Sequence, residues 1–384
     1  MLKERVEASV FWLSYLTLIL LILEDLMLFS FLNEKFPSFN RYVQFYSALT
    51  VAGLIFMLIL YLFITNKELP YVALIIAFGV LTRLLALRSL PWYSDVLKAT
   101  EEAAKTLISG ENPYTHVFSI GPKDVFAYPP FELLYYLPFL SLDIRYGEVF
   151  ASTIILILIY LAGKFFQSKL TLPALTFYAF SSLLIASAAI GANDVSAGML
   201  IALATFLFTI SIRKNSSKIL IVSAITAGLA VCFKQFSIFF PFFALIYLKK
   251  KKLNWRSYLF TFLAVIALIS LPFLILSPLQ YLREVLLFHV AERIYSSQFI
   301  LYYLLPKPLN SIYESPLWFI IYITVILLTL AFLAYKIKVL FNIIVYPILA
   351  WFIALFLGRY LTISYFAFLI PEICLLIFIS NNKS

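Results

Sequence analysis

The chain has 384 residues, of which 63% are hydrophobic and 12% charged, with 29 Lys and Arg against 19 Asp and Glu. Soluble domains carry roughly 45–50% apolar and about 25% charged residues, so this composition excludes a soluble globular enzyme and predicts an all-α polytopic membrane protein. The two cysteines, Cys232 and Cys374, lie in apolar runs and the two histidines, His116 and His289, are far apart, which gives neither a disulfide framework nor a zinc-ligand cluster.

The opening MLKERVEASVFWLSYL mixes acids with its basic residues and no small-residue cleavage site follows, so the first apolar run is expected to be a retained span. Runs of the roughly 17–25 residues that cross a hydrocarbon core fall near 9–31, 43–65, 70–88, 146–163, 170–190, 195–212, 257–276, 317–335, 339–357 and 361–380, ten ordinary spans. The run from Ile219 to Leu248 is too long for one helix and is flanked by Lys218 and by Lys249 to Lys252. A hairpin with both ends on one side satisfies it and brings the expectation to about 12 membrane helices. With the N-terminus inside, the inner segments hold 16 of the 29 basic residues and only 3 of the 19 acids. The net charge therefore reports orientation in a cell membrane, multi-pass with both termini cytoplasmic, and predicts no nucleic-acid partner.

Two long external stretches, 89–145 and 277–316, interrupt the apolar pattern. In the first, Ser94 or Asp95 opens a helix, Val96, Thr100, Ala103, Ala104, Leu107 and Ile108 repeat at helical spacing, and Gly110 closes it before Asn112-Pro113-Tyr114. Lys98, Glu101, Glu102 and Lys105 occupy the other face, as expected of an amphipathic helix lying along the membrane. A second half-apolar segment starts at Tyr128-Pro129-Pro130. In the hairpin, halves of 15 and 13 residues span only about 22 and 20 Å against a core of roughly 30 Å. Lys234-Gln235 at the tip is thereby kept at membrane depth, and the neighbouring turn at Asn193-Asp194 lies on the same outer side. In the stretch 277–316, Leu282, Val285, Leu286, His289 and Arg293 share a helical face, and Arg359 follows at the outer end of the eleventh span. No internal repeat is visible. The chain reads as one integral membrane domain, 1–384, in which two N-terminal spans, 1–69, precede a core at 70–380.

Each polar residue has a structural and a functional reading. Asp95 is a helix-start carboxylate or a base, and Asp194 a cap at a turn or a substrate contact. Lys234 is a snorkelling cation, a partner for Asp194 or a substrate contact. His289, Arg293 and Arg359 are interfacial residues singly and a phosphate site together. Glu24, Asp25 and Glu372 stand within apolar runs as packing or network acids, with a kink at Pro371 able to give Glu372 a partner.

Gly110-Glu111-Asn112-Pro113-Tyr114 after the helix, and then Phe126-Ala127-Tyr128-Pro129-Pro130, resemble the first external loop of GT-C fold glycosyltransferases. The resemblance is greatest to the polyprenyl-phosphate-sugar-dependent mannosyltransferases of glycosyltransferase family 87. Gly191-Ala192-Asn193-Asp194 and Phe233-Lys234-Gln235-Phe236, with Pro241 after, are similar to that family as well. The likeness covers roughly residues 70–300; two further spans, 1–69, precede it here, so the acidic loop follows three spans where family members usually have one. It implies Asp95 as catalytic base; beside it, Asp194, Lys234, His289, Arg293, Arg359 and Tyr128 are read from their positions as substrate-binding residues. It also implies transfer of mannose or another hexose from a polyprenyl-phosphate donor to an external lipid or glycan acceptor, with inversion. A single phosphate leaves without a general acid, so one base suffices and neither cofactor nor metal is expected. Two rival readings, a lipid-linked sugar flippase or transporter and an external glycan polymerase, also fit many spans and large loops. Release of polyprenyl phosphate separates an enzyme from a carrier.

Overall fold

The computed structural model describes residues 21, 52–53, 68–89, 94–118, 125–287, 315–358 and 364–380. The expected spans 9–31 and 43–65, and the residues His289, Arg293 and Arg359, lie outside this set apart from isolated positions of the two spans. The described residues form helices and contain no strand. In order these are α1 (Glu68–Ser89), α2 (Asp95–Ile108), α3 (Pro130–Tyr136), α4 (Tyr146–Phe165), α5 (Thr171–Phe180), α6 (Ser182–Ile190) and α7 (Asp194–Arg213). They continue with α8 (Ser217–Phe233), α9 (Phe239–Lys250), α10 (Trp255–Leu276), α11 (Pro278–Leu282), α12 (Pro316–Lys336), α13 (Asn342–Leu357) and α14 (Tyr365–Ser380).

Among the described residues five helices, α1, α4, α7, α10 and α12, are long and apolar enough to cross a membrane. A sixth span forms if α5 and α6, bent by 48° at one break, count together. The sequence reading of one span at 170–190 thus becomes two short helices. Ser181 sits at the break with ψ 119°, and its Oγ accepts from Leu184 N to start α6.

The chain divides into two compact units, residues 1–97, 141–199 and 373–384, and residues 98–140 and 200–372. In the first, α1 packs on α4, α5 and α6. Gly79 permits the approach, since a Cβ there would lie 3.0 Å from Ala179 Cβ and 3.2 Å from Leu156 Cδ1. Arg83, fully buried on α1, reaches the broken end of α5: its Nη1 donates to Ala179 O at 2.9 Å and its Nη2 to Tyr178 O at 2.8 Å. A broken helix in lipid needs donors for its last carbonyls, and this guanidinium supplies them.

In the second unit the hairpin is present. A Cβ on Gly228 would meet Val265 at 2.9 Å and Phe262 O at 3.2 Å, and Cys232 Sγ lies 3.9 Å from Ser270 Oγ. Rising numbers on α8 thus match rising numbers on α10, so the two helices run parallel. Only residues 251–254 separate α9 from α10, so α9 must return toward the start of α8. The reversal falls at Lys234 and the short 3₁₀ turn Gln235–Ile238. Trp351 of α13 holds it, donating from Nε1 to Phe236 O at 2.7 Å. In the same unit, Glu372 on α14 accepts a hydrogen bond from Thr205 Oγ1 at 2.7 Å, the partner expected beside Pro371.

Candidate active site

The first-unit end of α2 carries Asp95. Ser94, and not Asp95, is the cap: its Oγ accepts from Leu97 N at 3.2 Å, which leaves Asp95 as the first helical residue. The Asp95 side chain is exposed and accepts from Val96 N at 2.9 Å. Ser94 also binds outward. Its N–H donates to Ile190 O at 2.7 Å and its hydroxyl to Gly191 O at 2.6 Å. The start of the acidic helix is therefore fastened to the end of α6, three residues before Asp194.

That end is tightly built. Gly191 adopts φ +71°, the left-handed close of α6, and a Cβ on it would fall 2.2 Å from Leu97 Cδ2 and 3.2 Å from Arg145 Cγ. Arg145, itself buried, donates from Nη1 to Ala189 O at 3.2 Å and grips Asp143 through Nε at 3.0 Å and Nη2 at 2.7 Å. Burial works against the charge on Asp143, but the hydrogen bonds and positive charge of Arg145 outweigh it and hold this carboxyl below its ordinary range. Asp194 opens α7 and is buried. The first turn of α7 is capped from another helix, because buried Glu148 on α4 accepts from both the backbone N–H and the hydroxyl of Ser196.

In the second unit the two loop motifs do structural work. Gly110 N donates to Leu107 O and Glu111 N to Thr106 O, both at 3.1 Å, so Gly110, at φ +84°, closes α2 as the sequence predicts. Asn112 folds the next turn, its Oδ1 accepting from Tyr114 N at 3.0 Å and its Nδ2 donating to Ser277 Oγ at 2.8 Å. Tyr114 is buried with Phe126, Leu133, Ala103, Ala104 and Tyr281 and donates its hydroxyl to Tyr128 O at 2.8 Å. Burial first, then Tyr281, Glu132 and Cys232 nearby, push that hydroxyl well above its ordinary range, so it remains a donor. Tyr128 thus engages the motif through its backbone, with its ring half-buried against Phe126.

The face that α2 buries differs from the expected one. Leu97, Thr100, Ala103, Ala104 and Thr106 are buried, Val96 is half-exposed and Ile108 is 67% exposed. Thr100 donates to the fully buried Glu132 on α3 at 2.6 Å, so protein covers much of the apolar side that the sequence assigns to the bilayer.

Lys234 is 5% exposed. Its N–H closes α8 onto Ala230 O at 2.9 Å, and its Nζ lies 4.9 Å from the centre of the Tyr365 ring. Beside it Gln235 Nε2 donates to Val285 O at 3.1 Å. Among the described residues no group of three or more His, Cys, Asp or Glu is placed to share a metal ion.

Sequence reasoning missed Ser94 as the fastening residue, Arg145 with Asp143, and Glu148 with Ser196. The spacing Asp143-Ile144-Arg145 before a helix start was a local signal for the first pair. Glu148 and Ser196 carried none, because their partnership depends on two helices meeting.

Residues 133–279 match the family described as dolichyl-phosphate-mannose-protein mannosyltransferase. Asp194 and Lys234 lie within the matched stretch, and Asp95 lies before it. No curated protein matches the chain. The likeness read from the loop motifs and the family matched over 133–279 point the same way, and the match supports a GT-C mannosyltransferase-like glycosyltransferase.

Proposed function

We propose that the chain transfers mannose, or another hexose, from a polyprenyl-phosphate donor to an acceptor hydroxyl on a lipid or glycan at the external face, with inversion and without a metal. The observation that carries this reading is the placement of Asp95: an exposed carboxylate in the first turn of α2, fastened through Ser94 to the turn that leads into Asp194. The matched family supports the sugar and the lipid-phosphate class of donor.

In the reaction the acceptor oxygen attacks the anomeric carbon and the bond from that carbon to the phosphate oxygen breaks. The bonding pair leaves on the phosphate, and Asp95 takes the acceptor's proton. Lys234 contributes a cation for the leaving phosphate. Asp194 and Tyr128 are proposed as substrate contacts, as are His289, Arg293 and Arg359, and twelve membrane helices with both termini cytoplasmic complete the proposal.

The test is Asp95→Asn in the purified full chain, followed by polyprenyl-phosphate release from a mannosylated donor. Asn matches Asp in size and its amide oxygen can still accept from Val96 N, so folding and donor binding should persist while turnover falls by about 10²–10⁴-fold, the usual worth of a lost base. Turnover near the parent's in a folded Asp95→Asn protein would remove Asp95 from the mechanism.

A further inference from the structure

We propose that Ser94 is a positioning residue that holds Asp95 in register by seating the first turn of α2 on the end of α6, with Arg145 supporting that seat from the other side. The proposal rests on the reading of Asp95 as the base.

Three successive carbonyls end α6, and each is taken by one of these two residues. Ala189 O accepts from Arg145 Nη1, Ile190 O from Ser94 N, and Gly191 O from Ser94 Oγ. Carbonyls at a helix end otherwise turn to water or to local caps; here they form a receptor for another segment. The Ser94 hydroxyl acts twice, donating to Gly191 O and accepting from Leu97 N. Loss of that one oxygen would release both the outer attachment of α2 and its internal cap. The contact is also close: Leu97 packs so tightly on Gly191 that no side chain fits there, which leaves little room for the helix start to shift without losing the hydrogen bonds. Arg145 is clamped by Asp143 through two nitrogens, so its side of the seat is itself fixed.

A base acts only within hydrogen-bonding reach of the proton it takes, and a displacement of about 1 Å can cost about 10²-fold in rate. Asp95 directly follows Ser94, so slack at Ser94 is passed to the carboxylate with no intervening residue to absorb it. A merely stabilising serine would affect unfolding and leave turnover of the folded protein intact.

The experiment compares Ser94→Ala, Ser94→Thr and Asp95→Asn in the purified full chain, with mannosyl polyprenyl phosphate as donor. For Ser94→Ala we expect kcat to fall about 10- to 100-fold, donor KM to stay within about twofold, and amide exchange at Val96 and Leu97 to speed up. Ser94→Thr keeps the hydroxyl and should restore most of kcat and the slow exchange. Full kcat in folded Ser94→Ala, or a Ser94→Thr protein as slow as Ser94→Ala, overturns the positioning role. Should Ser94→Ala fail to fold, Ser94→Thr and Ser94→Gly carry the comparison, because Gly keeps much of the capping tendency but lacks the oxygen that meets Gly191. Full turnover in Asp95→Asn refutes the catalytic reading itself. Loss in Asp95→Asn with full kcat in Ser94→Ala refutes only this inference.

Discussion

Gly191→Ala tests the packing on which the candidate site stands. Gly191 has φ +71° and ψ 48°, a left-handed conformation that costs an L residue with a side chain roughly 1–2 kcal/mol. The new methyl would also fall 2.2 Å from Leu97 Cδ2 and 3.2 Å from Arg145 Cγ. Leu97 is fully buried, so it has no solvent to move into, and overpacking of this kind typically costs about 1–3 kcal/mol. The expected destabilisation is the sum, roughly 2–5 kcal/mol. A double-mutant cycle separates the parts. In a Leu97→Ala background the Cδ2 contact is gone, and Arg145 Cγ at 3.2 Å and the Cβ of residue 97 at 3.3 Å are what remain near the added methyl. The second substitution should then cost about 1–2 kcal/mol, leaving a coupling of about 1–3 kcal/mol between the sites. Unfolding by sodium dodecyl sulfate in mixed micelles, followed by tryptophan fluorescence, gives the four stabilities. A Gly191→Ala protein as stable as its parent, or equal penalties in both backgrounds, would refute the reasoning.

Arg83→Met should destabilise by about 2–6 kcal/mol, because Tyr178 O and Ala179 O lose their donors and each unsatisfied buried group costs roughly 1–3 kcal/mol; an unmoved unfolding midpoint would show that the broken span needs no such cap. Thr205→Val should cost about 1–3 kcal/mol by stripping the buried Glu372 carboxyl of its hydroxyl donor, and adding Glu372→Met should recover most of it. If the double variant is as unstable as the single, the pair is not the cause. Asp143 is held below its ordinary carboxylate range by Arg145, so its contribution is present above the unfolded value of about 3.9 and is lost as pH falls through the lower folded value. Asp143→Asn should therefore lower stability at neutral pH and flatten its decline on acidification, and a parent-like slope in melting temperature against pH would contradict the pairing.

Much of this protein was legible in one dimension because lipid imposes a one-dimensional rule. Backbone groups must be satisfied within each span, so apolar length alone predicts where helices lie. The runs at 70–88, 146–163, 195–212, 257–276 and 317–335 became α1, α4, α7, α10 and α12 with ends shifted by a few residues. The lysines flanking Ile219 to Leu248 predicted the reversal at Lys234, since charge must stay in water and a single helix cannot return to the side it left. Gly110 announced the end of α2 through its freedom to adopt positive φ.

What the sequence by itself determined was therefore the helical class, the membrane setting and the short-range caps, all of which depend on neighbours along the chain. The tertiary structure decided which groups meet across it. Asp95 lies next to Ser94 in sequence, but Ser94 finds Gly191 only because α1, α4, α5 and α6 pack in one unit, 97 positions apart along the chain. Asn112 finds Ser277 and Thr205 finds Glu372 across gaps of 165 and 167 residues. A hydrogen bond depends on distances of about 3 Å and on direction, and hydropathy holds neither, so the seat of Asp95 could be read only once the helices were assembled.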